Sequence, residues 1–183
     1  MVLRKILVSA ACLAVSAASA GALELKSPDV ANGGTIAEKF VFNGFGCAGG
    51  DLSPALNWSD PPAGTKSFAV LAHDPDAPTG GAGFWHWVVY NIPATATGLP
   101  QGVGKDGKGL PEGATQVATD LGAPGYGGPC PPKGDAPHHY HFTVYALKTD
   151  KIELPPHATA SLAGYFINAN ALGKATLTAT YGR

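Results

Sequence analysis

The chain has 183 residues, with 12 lysines and arginines against 13 aspartates and glutamates and a formal net charge of −1. That length suits one domain with a substantial core. Charge is nearly balanced and no basic run is present, so nucleic acid is excluded as an expected partner.

Residues 1–20 read as a secretory signal peptide: Arg4 and Lys5 give a basic start, Ile6 to Val15 an apolar run, and Ala18-Ser19-Ala20 a small-residue cleavage site. The run is shorter than the roughly 20 residues a spanning helix needs. No second candidate follows, so no transmembrane segment is expected. Cys12 follows Ser9-Ala10-Ala11 rather than an aliphatic residue, which argues against lipid attachment. The expected product is residues 21–183, a single domain that is periplasmic or secreted. An oxidising compartment suits pairing of Cys47 with Cys130, each in a glycine-rich turn. Such a bridge closes a loop of about 80 residues and is worth roughly 4 kcal/mol in the chain-entropy view. The alternative is two free thiols, one of them catalytic, although neither has an identifiable base beside it.

In chain order, Leu23 to Lys26, Lys39 to Phe42 and Leu56 to Trp58 are short strand candidates, separated by turns such as Asn32-Gly33-Gly34 and Gly44-Phe45-Gly46-Cys47. Ser67 to His73 and Trp85 to Ile92 are apolar, β-prone and stronger. Between them, the prolines of Asp74-Pro75-Asp76-Ala77-Pro78 stop the ladder and hold two carboxylates at a strand end. His86 lies near the start of the returning strand, and alternation puts Trp85 and Trp87 on the face opposite to it. Pro93 to Pro129 is rich in glycine and proline, with a short strand around Ala114 to Thr119 and apolar anchors at Leu99, Leu110, Val117 and Leu121. It is expected to be an ordered binding loop. At its end, Gly125 to Gly128 would let main-chain N–H groups approach a ligand. His139 to Leu147 is the best strand. Its alternation sets His138, Tyr140, Phe142 and Val144 on one face and His139, His141, Thr143 and Tyr145 on the other. A helix at Ala158 to Ala169 follows the stop Leu154-Pro155-Pro156, and Ala175 to Tyr181 is a last strand. Many strands without a βαβ rhythm predict a mainly β, antiparallel fold.

An imidazole facing a carboxylate has its charged form favoured, so His86 or His138 beside Asp74 or Asp76 is expected to supply a cation. Tyr140, on the face of His138, adds a hydroxyl donor. Together these describe a site for a small anion such as phosphate or carboxylate. The plainer reading is that the aspartates cap turns and His86 is a satisfied core histidine. A zinc site built from His139 and His141 with His73 or His86 competes for the same residues. Neither HExxH nor CxxC accompanies it, so no metal or other cofactor is expected. No Gly-x-Ser-x-Gly elbow, Walker loop or dinucleotide fingerprint is present, and a non-catalytic role is expected.

Asp74-Pro75-Asp76-Ala77-Pro78, Trp85-His86-Trp87-Val88-Val89-Tyr90-Asn91, Gly125-Tyr126-Gly127-Gly128-Pro129-Cys130-Pro131-Pro132 and His138-His139-Tyr140 resemble the signature blocks of the phosphatidylethanolamine-binding protein family, most closely its bacterial Raf kinase inhibitor-like branch. The resemblance runs from Leu25 to Arg183. It takes in Gly44-Phe45-Gly46-Cys47, Ser53-Pro54-Ala55-Leu56-Asn57-Trp58 and Thr180-Tyr181-Gly182-Arg183. It implies a large antiparallel sheet flanked by a smaller sheet and a few short helices, with an anion pocket at one end. The family's pocket positions fall on Asp74, Asp76, His86, Gly128, His138 and Tyr140, and Tyr181 corresponds to a residue that can border the pocket. Two departures stand out. His139 replaces the family's usual arginine, removing a nearby cation, and Asn170 stands where a Gly-His pair often occurs. The function implied is that of an exported binding protein for a small anionic ligand or phospholipid head group, regulating a partner protein. Alternatives are a protein-interaction or protease-inhibitory module and, behind it, a weak phosphoester hydrolase in which Asp and His act as acid and base. The β-rich edges would permit a homodimer.

Overall fold

The computed structural model describes residues 22–183. The expected signal peptide lies outside them. In chain order the strands are β1 (Glu24–Lys26), β2 (Asn43–Gly44), β3 (Cys47–Ala48), β4 (Leu56–Ser59), β5 (Ser67–Asp74), β6 (Phe84–Pro93), β7 (Gly98–Leu99), β8 (Thr115–Gln116), β9 (His138–Leu147) and β10 (Ala171–Tyr181), with helix α1 (Ala160–Asn170) between the last two. The fold is mainly β. A five-stranded antiparallel sheet runs β10-β9-β5-β6-β8, a three-stranded sheet runs β1-β4-β7, and β2 and β3 form a separate hairpin.

Both faces of the large sheet are covered, and the composition of β5 follows from that. Phe68, Val70 and Ala72 point into a core shared with the small sheet, where they meet Trp58, Trp87 and Phe142. Ala69 and Leu71 point into a second core under α1, with Val88, Ala163 and Ile167. A strand buried on two sides reads as a continuous apolar run rather than an alternating one. Helix α1 begins where the Thr159 side chain accepts from the Leu162 N–H at 3.2 Å. It turns Ala160, Ala163, Gly164 and Ile167 inward at helical spacing.

Strand β6 has two irregularities, and the second bears on the site. At its C-terminal end Asn91 adopts a left-handed backbone (φ 57°), and its amide exchanges hydrogen bonds with the Ile152 backbone at 2.8 and 3.1 Å. At its N-terminal end the register slips: Ala72 pairs with Trp87 while His73 pairs with Trp85. His86 is the extra residue of a β-bulge, and a bulge re-aims side chains that strict alternation would separate. Trp87 enters the core between the sheets and Trp85 packs on the α1 side, so His86 shares the face of Trp87. The expectation that both tryptophans lie opposite His86 is corrected for Trp87.

Three other expectations change. Lys39 to Phe42 is not a strand but part of a 3₁₀ turn (Glu38–Phe40), because the Ala37 and Glu38 carbonyls accept locally from the Phe40 and Val41 N–H groups. The last strand begins at Ala171, directly after α1, four residues earlier than its β-prone composition suggests. The Pro93 to Pro129 segment is ordered by Leu99, Val103 and Val117, which are buried. Its C-terminal part reaches the candidate site, where Leu121 and Gly128 line a cavity.

Candidate functional site

The ladder between β5 and β6 ends at Asp74, because Pro75 has no N–H to continue it. Asp74 is 3% exposed, and its two carboxylate oxygens have separate tasks. Oδ1 accepts from the N–H groups of Asp76 and Ala77 at 2.8 and 3.1 Å, folding the Asp-Pro-Asp turn back on itself. Oδ2 accepts from Nδ1 of His138 at 2.8 Å, joining residues 64 positions apart. Because a carboxylate only accepts, the His138 proton sits on Nδ1. Its Nε2 is left facing outward, 3.5 Å from Asp135 Oδ2.

His86 is held in the same way by a different acceptor. Its Nδ1 donates to the Gly127 carbonyl at 2.8 Å, and the Gly127 N–H returns to the His86 carbonyl at 3.0 Å. That fixes the tautomer and leaves Nε2 unprotonated in the neutral ring. Burial pushes the pKa of His86 below the ordinary histidine value, and the Gly127 carbonyl and the Asp74 charge only partly oppose this. The cation expected from spacing is therefore not at His86 near neutral pH.

Asp74, His86, Gly128 and His138 line one cavity of about 250 Å³. Its remaining walls are mostly apolar, from Phe42, Phe45, Phe84, Leu121, Pro131 and Pro132. None of these six was marked as a pocket residue by the sequence, although Leu121 was noted as an apolar anchor. The Gly44-Phe45-Gly46 and Pro131-Pro132 runs held three of them, Phe45, Pro131 and Pro132.

The other expected site residues are placed differently. Asp76 turns away from the cavity and accepts from both the N–H and Nδ1 of His139, each at 2.7 Å, which hold its carboxyl below the usual carboxylate range. Tyr140 packs edge-on against His86 with ring centroids 5.3 Å apart, beneath the cavity rather than on its wall. Burial and then the nearby Asp74 charge raise its pKa, yet its hydroxyl is buried without an acceptor in hydrogen-bonding geometry. Tyr181 donates to Glu38 Oε1 at 2.9 Å and does not line the cavity. Gly128 does line it, but its N–H is spent on Asp51 Oδ1 at 2.9 Å. A Cβ there would overlap the backbone of Phe40 and Phe42, so this glycine serves chain-to-chain approach rather than ligand approach.

Two ties hold the walls. Cys47 and Cys130 are disulfide-bonded, linking the β2–β3 hairpin to the Gly128–Pro132 loop. Arg183, which had not been singled out, donates to the carbonyls of Pro131, Gly46 and Phe45 at 2.7, 3.1 and 3.2 Å and so clamps the same two segments. Among the described residues no three His, Cys, Asp or Glu side chains are grouped to hold a metal ion, and no helix is long and apolar enough to cross a membrane.

The model of the phosphatidylethanolamine-binding protein family matches residues 26–182, almost all of what the structure describes. The chain belongs to that family. Within it, the chain is 52% identical over 165 residues to the UPF0098 protein YbcL of Escherichia coli, covering 90% of each. The crystal structure of E. coli YbcL, described as a new member of the mammalian PEBP family, superposes with a TM-score of 0.86 at 51% identity, covering 89% of this chain and 99% of that one. A Mycobacterium tuberculosis relative whose name, LppC, carries the designation lipoprotein is 39% identical, covering 90% of this chain and 75% of its own length. The PEBP-family fold, with its large antiparallel sheet and smaller accompanying sheets, is thus shared across nearly all of the described residues.

Proposed function

We propose that the chain is an exported, non-catalytic binding protein whose cavity accepts a small anionic group such as phosphate or a phospholipid head group. The observation that carries this reading is the pairing of two buried imidazoles, His86 and His138, each pinned through Nδ1 with Nε2 not used in that bond, in the lining of one apolar-walled cavity. A neutral Nε2 accepts and a charged one donates, so the site takes up a proton along with an anion. Export is supported by the leader-like composition of residues 1–20, by the Cys47–Cys130 bridge and by the naming of the LppC relative.

The pH dependence follows in sign. Burial favours the neutral form of the free His86 ring relative to an ordinary histidine at 6.5, whereas a bound anion would favour the charged form. Proton uptake on binding means that affinity rises as pH falls, by up to about tenfold per unit between the two pKa values. Sulfate is the cleaner probe, since a phosphoester itself titrates near about pH 6. Calorimetry with sulfate and with phosphorylethanolamine is expected to show this slope in the wild type. His138→Ala should weaken binding about 10- to 100-fold, the loss of a charge-assisted hydrogen bond. His86→Asn, whose amide can still donate to Gly127, should bind weakly and without the slope. Binding that is independent of pH and survives both substitutions would overturn the proposal.

A further inference from the structure

We infer that the cavity selects anions bearing an apolar chain, and that Phe45 is the residue that selects them. This rests on the anion-binding reading above and specifies its ligand.

Polarity is graded along the cavity. Asp74, His86 and His138 form the polar floor, Phe42, Leu121 and Pro131 are among the apolar walls, and Phe45 stands at the mouth. A bare tetrahedral anion would satisfy the floor and leave the walls wet. An alkyl substituent would cover them, and burial of each methylene is favourable.

Phe45 is presented in a way that packing of the free protein does not explain. It is 71% exposed. With Gly46 it forms the two-residue turn of the β2–β3 hairpin, both residues at positive φ, 52° and 82°. That turn favours Asn-Gly, and a bulky aromatic in a left-handed conformation is strained. The strained position is nevertheless fixed: the Phe45 carbonyl accepts from Arg183, the Phe42 ring lies 5.4 Å away, and the adjacent Cys47 is bridged to Cys130. A rigid, strained and solvent-facing phenyl ring over an apolar mouth is a contact surface for something absent from the free protein.

The test is calorimetry at one fixed pH with methyl, butyl and hexyl phosphate, all monomeric, on the wild type and on Phe45→Asn. Asparagine suits the turn, so this variant should fold at least as well as the parent. In the wild type, affinity is expected to rise about two- to fourfold per added methylene, approaching the full value for a buried CH₂. In Phe45→Asn the increment per methylene should fall by half or more, read as the ratio of hexyl to methyl phosphate affinity within the variant. Intact methyl phosphate binding with no dependence on chain length overturns the inference and leaves the anion pocket standing. An unchanged increment in Phe45→Asn overturns the role of Phe45. Failure of methyl phosphate to bind at all overturns the anion reading itself. Co-sedimentation with phosphatidic acid vesicles would assign the chain-bearing anion to a bilayer. Its absence beside intact hexyl phosphate binding would assign it to a monomeric amphiphile.

Discussion

Asp74→Ala is expected to destabilise the fold by about 3–5 kcal/mol, because it leaves three buried donors without an acceptor at about 1–3 kcal/mol each. The carboxylate receives three donors, the N–H groups of Asp76 and Ala77 and Nδ1 of His138. Asp74 and His138 are 3% and 4% exposed, so water replaces little of what is lost. Asp74→Asn separates the two tasks. Its carbonyl oxygen can still accept from the turn, while its NH₂ meets the His138 Nδ1–H donor to donor and forces the ring to change tautomer. A smaller loss, about 1–3 kcal/mol, is expected there. Denaturant midpoints of the three proteins measure both. A cost below about 1 kcal/mol for Asp74→Ala would show that the pair contributes little, since a truly buried partner cannot be removed so cheaply.

The second large effect lies in the pocket wall. Replacing both Cys47 and Cys130 with serine should lower stability by about 4 kcal/mol, since the bridge closes a long loop. The same change frees the hairpin that carries Phe45 from the Gly128–Pro132 loop, leaving Arg183 as the tie between them. Binding of chain-bearing anions should therefore weaken along with stability. Unfolding followed with and without reductant on the wild type, and without it on the double variant, checks the first part. Equal midpoints in all three would contradict it.

Strand β5, strand β6 and strand β9 were legible because each is an apolar, β-prone run bounded by proline or glycine, and the face assignments along β9 hold where register is regular. The Asp74 and His138 contact was one of four carboxylate–imidazole pairings that the sequence left open, His86 or His138 with Asp74 or Asp76. His86 is the instructive case. Period-two reasoning could identify the residue but not its neighbours, because one inserted residue changes which side chains share a face. Asp76 failed for a local reason: an Asx turn uses the first carboxylate inward and leaves the second pointing out, where His139 takes it. Gly128 shows that a glycine signals close approach without saying what approaches. Lys39 to Phe42 has strand composition, yet its first N–H groups turn back to the Ala37 and Glu38 carbonyls and the rest of its backbone bonds to the 49–52 loop and Pro129, and composition does not report that. Phe45 escaped notice because an exposed aromatic between two glycines looks like a turn residue until the cavity behind it is seen.

The central claim is that an anion sits between the Nε2 atoms of two pinned imidazoles. Imidazole nitrogen NMR during titration with phosphorylethanolamine reads this residue by residue across the six histidines. The Nε2 resonances of His86 and His138 are expected to shift together and saturate with one affinity, while those of His73, His139, His141 and His157 stay nearly fixed. Saturating shifts confined to those other four, with His86 and His138 unmoved, would contradict it.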